Sequence, residues 1–233
     1  MQLAIKFLFG AIEFLSLSLL SFTLFRFPIL QNWVKIGCIA LIVETISIYQ
    51  RDFLGISQEY AMIGMIVVYI LLVKVLFGVK LWLAATLSIF GYIGLAIIQA
   101  FLIMLFDYMG VTSVEKLKTS LADIVLVQSV TAAVNGGLAF WLSTKRIGFV
   151  FIEKRVNFNS EPRKIYVLLL IVLLLNVVTF ELAVVFFLQN KSIGFFFVSF
   201  ILLAILALYI TYQKNKKELL DHYNRLKERN RSI

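Results

Sequence analysis

The sequence holds few of the residues that most active sites are built from. It has one cysteine, Cys38, and one histidine, His222, in 233 residues, so an intrachain disulfide and a CxxC metal site are excluded. A cysteine-peptidase pair would need those two side chains to meet. They fall apart, with Cys38 inside an apolar run and His222 in the charged terminal segment. No HExxH, GxSxG or GxxxxGK[ST] pattern occurs. No catalytic residue, metal ligand or cofactor is assigned, a non-enzyme is expected, and Cys38 is read as a buried apolar thiol. The two prolines, Pro28 and Pro162, both lie between apolar runs, so the broken-helix signature of many secondary transporters is weak. Charge is scarce too, at 15% of residues against 61% hydrophobic ones. Globular chains average about 25% charged and about 45–50% apolar, and no stretch here is left to bury an aqueous core.

What is present is a series of long apolar runs. A hydrocarbon core about 30 Å thick takes roughly 20 apolar residues in a helix, because no backbone amide can stay unpaired there. Seven runs qualify, near residues 7–25, 32–49, 60–77, 81–106, 121–143, 165–188 and 193–212. None alternates polar and apolar residues as an outer-membrane strand would. The expectation is an all-α polytopic membrane protein, with a membrane domain over 1–212 and a helical tail over 213–233. The third and fourth runs are joined only by "FGVK" and are read as a tight hairpin. The first run exceeds a signal-peptide h-region of about 7–15 residues and lacks a small-x-small cleavage site, so it is read as a retained span.

Cytoplasmic segments are enriched in lysine and arginine. With seven spans and the tail inside, 17 of the 22 basic residues fall on the inner side, and only Lys6, Arg51, Lys116, Lys118 and Lys191 lie outside. The amino terminus is then outside, the carboxy terminus cytoplasmic, and the setting a plasma membrane. The same split accounts for the formal charge of +9 without a nucleic-acid partner, and inner basic residues attract anionic headgroups at about 1 kcal/mol each. The inner segment after the fifth run, "TKRIGFVFIEKRVNFNSEPRK", sets aromatic residues among bases. It reads as a positively charged loop or as a short interfacial segment.

Ionisable groups inside apolar runs are costly, at about 2.5–3.5 kcal/mol on insertion scales, and usually face a cavity or a partner. Glu13, Glu44 and Glu181 are of this kind, and all fall in the outer half of the expected topology. Asp123 and Asp107 sit near the outer boundary, and Gln99, Gln128 and Asn176 add neutral polar groups deeper down. Two readings stay open. Glu13, Glu44, Gln99, Asp123, Gln128, Asn176 and Glu181 line an outward-opening pocket, with the three glutamates converging within roughly 10–12 Å; or each carboxylate is hydrated or paired separately with Lys6, Arg51 or Lys191. Ser129, Ala133 and Gly137 recur every four residues and are read as a helix-packing face.

The terminal segment "YQKNKKELLDHYNRLKERNRSI" follows a charge-free run. Tyr212, Leu219, Leu226 and Ile233 are seven apart, and Tyr223 follows Leu219 by four, giving a helix a narrow apolar seam. Glu218, Asp221 and Glu228 interrupt its basic face, which argues against a simple membrane anchor. Leu219, Tyr223 and Leu226 are expected to meet a partner helix, from a cytoplasmic signalling protein or a homodimer, on a nearly unbroken helix over 193–228.

The aromatic-rich spans, the "LFRFPILQNWVKI" and "YQRDFLGI" segments, the "STKRIGF" exit from the fifth run and the helical tail together resemble the membrane sensor portion of peptide-sensing histidine kinases of Gram-positive bacteria, of the accessory-gene-regulator type. The resemblance covers most of the chain and is one of layout. It implies a quorum-sensing role, with an extracellular peptide or amphiphile bound by the membrane part and a relay through the last span. No ATP-binding domain lies within these residues, and "DHYNRL" lacks the H-D-x-x-N-H phosphoacceptor pattern, so His222 is not carried over. The expectation is a kinase-less sensor, with a small substrate-binding transport component as the alternative.

Overall fold

The computed structural model describes residues 2–56, 58–149, 163–188 and 194–231. Among them every regular element is helical: α1 (Gln2–Leu24), α2 (Ile29–Ile48) running into a π-helical turn (Tyr49–Phe53), α3 (Gln58–Phe77), α4 (Leu81–Tyr108), a short α5 (Val114–Thr119), α6 (Leu121–Thr144), α7 (Arg163–Leu188) and α8 (Gly194–Arg231). Each expected run coincides with one long helix. Only α5 and the π turn had no counterpart among the expected runs, being too short to carry a period. Four helices are long and apolar enough to cross a membrane: α1, α2 with its π turn, α4 and α6. Shorter apolar stretches, Ala61–Phe77, Leu168–Thr179 and Val198–Gln213, lie within α3, α7 and α8.

The bundle is organised around α4, which packs against α1, α3, α6 and α7. Its stretch from Leu83 to Ile93 is buried without interruption. Small residues bring α1 against it: a Cβ on Gly91 would lie 3.0 Å from both Leu17 and Ser21. Ser21 Oγ donates to the Leu87 carbonyl at 2.5 Å, and the Tyr69 hydroxyl donates to Ser18 Oγ at 3.0 Å. Between helices that are apolar on most sides, such polar contacts and close approach supply cohesion and fix which faces meet. α1 also packs along α6 and α2, whereas α8 pairs with α7. At the end where α1 meets α2, the rings of Phe22, Phe27 and Phe77 meet at centroid distances of 4.8–5.3 Å, and Lys35 sits over Phe77.

α1 and α6 end alike. Arg26 (φ 50°) and Arg146 (φ 53°) each close the helix in the left-handed region, with Phe27 N–H bonded back to Phe22 O and Ile147 N–H to Leu142 O. This is the usual helix stop, ordinarily given to glycine. The two ends are tied together, because the Arg26 guanidinium donates to the Arg146 carbonyl and Phe149 N–H to Leu24 O. A left-handed non-glycine residue costs about 1 kcal/mol or more. Arg146→Gly, which keeps that carbonyl, is expected to raise stability by about 1 kcal/mol, read as a higher denaturation midpoint in detergent.

Two expectations are corrected here. Cys38 is exposed at the bundle surface; α2 turns Ile36, Ile39, Ala40 and Val43 inward instead, and an apolar thiol suits an apolar surrounding as well as a core. On α6 the buried residues are Val127, Thr131, Ala132, Asn135 and Ala139, so the stripe Ser129, Ala133, Gly137 is not the buried face. Ser129 and Ala133 border an open hollow between α1 and α6, whereas a Cβ on Gly137 would meet nothing within 4 Å.

Candidate functional site

Two glutamates are buried in the bundle on apolar helices. Glu13 lies midway along α1 and is 9% exposed; Glu44, one turn from the end of α2, is 2% exposed. Gly10 makes room for the second. The Glu44 carboxylate rests where a Cβ on Gly10 would stand, one helical turn before Glu13 on the same face of α1. The two carboxyls are thus electrostatic neighbours, and each also feels the Arg51 guanidinium.

The π turn supplies that guanidinium. Its wider winding, with Leu54 N–H bonded to Tyr49 O at 3.1 Å, carries Arg51 back over the end of α2. Arg51 Nη2 lies 3.6 Å from Glu44 Oε1, and Nε donates to the Ser47 carbonyl at 3.4 Å. Single π turns of this kind concentrate at functional sites. Beside it Lys6 Nζ pairs with Asp52 Oδ1 at 3.4 Å, both partly exposed. Gln50, from the same turn, lays its amide against α3 where Gly64 leaves space, 2.8 Å from the position a Cβ would take.

Among the described residues Glu13 has no cation in direct contact and feels only the charge of Arg51. The Gln128 side chain of α6 is its hydrogen-bonding neighbour, yet Glu13 Oε1 and Gln128 Oε1 are buried without a partner among the described residues. The Tyr92 hydroxyl is also buried without a partner among them. Tyr92 interacts electrostatically with both carboxyls and with Tyr69, and its ring meets those of Phe14 and Tyr69 edge-on at 6.1 Å. Polar atoms from α1, α2, α4 and α6 therefore meet in one enclosed region.

Of the residues expected to line a pocket, Glu13, Glu44 and Gln128 come together; of the expected pairings Glu44 makes the one with Arg51, whereas Lys6 pairs with Asp52 instead. Asp123 belongs elsewhere. Ser120 Oγ accepts from its N–H at 3.4 Å and so caps the start of α6, and its own carboxylate interacts with Ser120 and Thr112. Asn176 is fully buried but donates to Val172 O on its own helix at 2.9 Å. Gln99 is partly exposed, and among the described residues no hydrogen bond or ion pair ties it to the glutamates. The side chains of Glu181, Leu219 and Leu226, and Lys191 as a whole, lie outside the described residues. Tyr223 is 63% exposed on α8.

Tyr92, Tyr69, Gln50 and Gly10 were not among the residues expected from the sequence. Tyr92 carried the best signal. Membrane tyrosines gather at the interfaces, whereas this one stands in mid-run in "FGYIG". Among the described residues no three His, Cys, Asp or Glu side chains cluster in a way that would hold a metal ion. An open hollow of about 320 Å³ lies between α1 and α6, lined by Phe9, Ile12, Leu15, Ser16, Leu19, Ser129, Ala132, Ala133 and Gly136. It is almost wholly apolar and separate from the carboxylates. No protein family, curated protein or solved structure matches this chain.

Proposed function

We propose that the chain is a seven-span plasma-membrane receptor that detects a peptide or amphiphile from outside and relays the change through α8 to a partner. The continuity of α8 carries this reading. Its 38 residues extend about 57 Å at 1.5 Å per residue, nearly twice the hydrocarbon thickness. A charge-free first half continues without a break into the segment holding Lys214, Lys216 and Lys217. A helix that is apolar for one bilayer thickness and charged for another has one end in lipid and one in water. A ligand acts only through contacts that differ between two states, and a rigid helix transmits such a difference along its axis. The exposed apolar circumference, with Leu30 90%, Phe140 76% and Val75 74% accessible, supports the membrane setting. Tyr209, Tyr212, Leu220 and Tyr223, all more than half exposed, leave α8 with surface for a second helix. The likeness in layout to accessory-gene-regulator sensors points the same way.

The test deletes residues 214–233. If α8 is an output helix, the transcripts that change when the whole chain is removed change equally with the truncated form, although it reaches the membrane at normal level. If the truncated chain restores the normal transcript pattern, or supports full uptake of a small solute, the transport reading replaces this one. Orientation is tested with Cys38→Ser in the background: a cysteine at Met109 is expected to react with an impermeant reagent from outside, and one at Lys145 only after permeabilisation.

A further inference from the structure

We infer that Glu13 and Glu44, with the Tyr92 hydroxyl and the Gln128 side-chain oxygen, form a binding site for one small monovalent cation, either a proton or Na⁺. The charges set the stoichiometry. Among the described residues, Glu13 and Glu44 share the enclosed region with one guanidinium, that of Arg51, while Lys6 and Asp52 cancel each other at its edge. One negative charge is left over, and a buried charge without a partner is strongly disfavoured. One monovalent cation restores neutrality.

The ligand atoms set the chemistry. Glu13 Oε1, Gln128 Oε1 and the Tyr92 hydroxyl all lack partners among the described residues, and Tyr92 is only 8% exposed. Each of these three unpaired atoms is an oxygen, which suits a hard cation or a proton and not a soft metal. A divalent ion would exceed the spare charge.

The packing is built for this arrangement. A side chain on Gly10 would expel the Glu44 carboxylate from its place beside α1. Among the described residues the groups around the two carboxyls are few: Arg51 acts on both, Asp52 of the π turn on Glu44, Tyr92 from α4 with Tyr69 of α3 behind it on both, and neutral Gln128 from α6 on Glu13. No lysine or histidine among the described residues of these elements joins them as an internal counter-charge. At the edge of the site the Arg51 and Asp52 side chains are about a third exposed. The site is independent of the receptor reading, since it holds its cation whether or not α8 signals.

The experiment uses the full chain in lipid nanodiscs. Thermal midpoints are followed as NaCl replaces choline chloride at constant ionic strength, and infrared spectra record protonated carboxyl bands at neutral pH. A Na⁺ site predicts a midpoint that rises with Na⁺ and becomes indifferent to it in Glu13→Gln. A proton site predicts no Na⁺ response but a protonated-carboxyl band at neutral pH that is lost in Glu13→Gln or Glu44→Gln. A chain with neither response overturns the inference. Should the glutamine variants fail to fold, Tyr92→Phe, which keeps the ring, is expected to weaken Na⁺ dependence about tenfold or shift the band's titration by about one pH unit, as for one lost polar contact. No change in Tyr92→Phe also overturns the site as drawn.

Discussion

Arg51→Ala is expected to destabilise the chain by about 2 kcal/mol, and Glu44→Gln in the same chain to recover most of that loss. The reason is an asymmetry in exposure. The Glu44 side chain is 3% accessible and the Arg51 side chain 36%. Removing the guanidinium leaves a carboxylate sealed in the bundle beside a second one, whereas removing the carboxylate leaves a guanidinium that can turn to water. Breaking a fully buried pair costs about 3–5 kcal/mol, and partial hydration of Arg51 screens the interaction and brings the figure down. Glu44→Gln alone should therefore cost much less than Arg51→Ala alone. Lys6→Ala, which breaks the more exposed pair with Asp52, should stay within about 1 kcal/mol. Chemical denaturation of the four variants in one detergent checks the ordering, and equal costs for Arg51→Ala and Lys6→Ala would show that the Glu44 pair is no more buried than the outer one.

Gly10→Ala should lower stability while Gly37→Ala raises it. Each exchange gains about 1 kcal/mol of intrinsic helix preference, so without tertiary contacts both would stabilise. At Gly37 a Cβ would meet nothing within 4 Å, and the gain is kept. At Gly10 it would strike the Glu44 carboxyl group. That side chain is flexible at its end, but moving it breaks the contact with Arg51 and costs about 1–3 kcal/mol as overpacking, outweighing the gain. Shortening the obstacle should restore the balance, so Gly10→Ala with Glu44→Asp is expected to be more stable than Gly10→Ala. Opposite signs for the two glycines would place the carboxylate at α1 by measurement.

The residues of the carboxylate pair were legible in the sequence, but their meeting was not. Glu13 and Glu44 stand out because a charged group within an apolar run has few cheap placements, and Arg51 and Lys6 are natural candidates to pair with such carboxylates. Asp123 looks equivalent by the same criterion, yet it is the third residue of α6, where Ser120 and Thr112 give it local work. Residues on different helices cannot be matched from spacing alone. The small-residue stripe on α6 misleads for a related reason. In water a helix advertises its buried face by an apolar stripe, but here the outward face is apolar too, so a four-residue spacing of small residues does not say which side meets α1 and α4.

By itself the sequence determined the all-helical class, the positions of the long helices and the continuation of the last one into the charged tail. These follow from one-dimensional quantities, apolar run length and the distribution of charge, because a run of apolar residues must satisfy its own backbone and does so as a helix. The tertiary structure alone decided that Glu44 sits on Gly10, that the π turn returns Arg51 to it, and that Tyr92 and Gln128 close the region around Glu13. Those contacts depend on how four helices are rotated about their axes, and helices apolar on every side leave that rotation to packing and to the few polar atoms that must find one another.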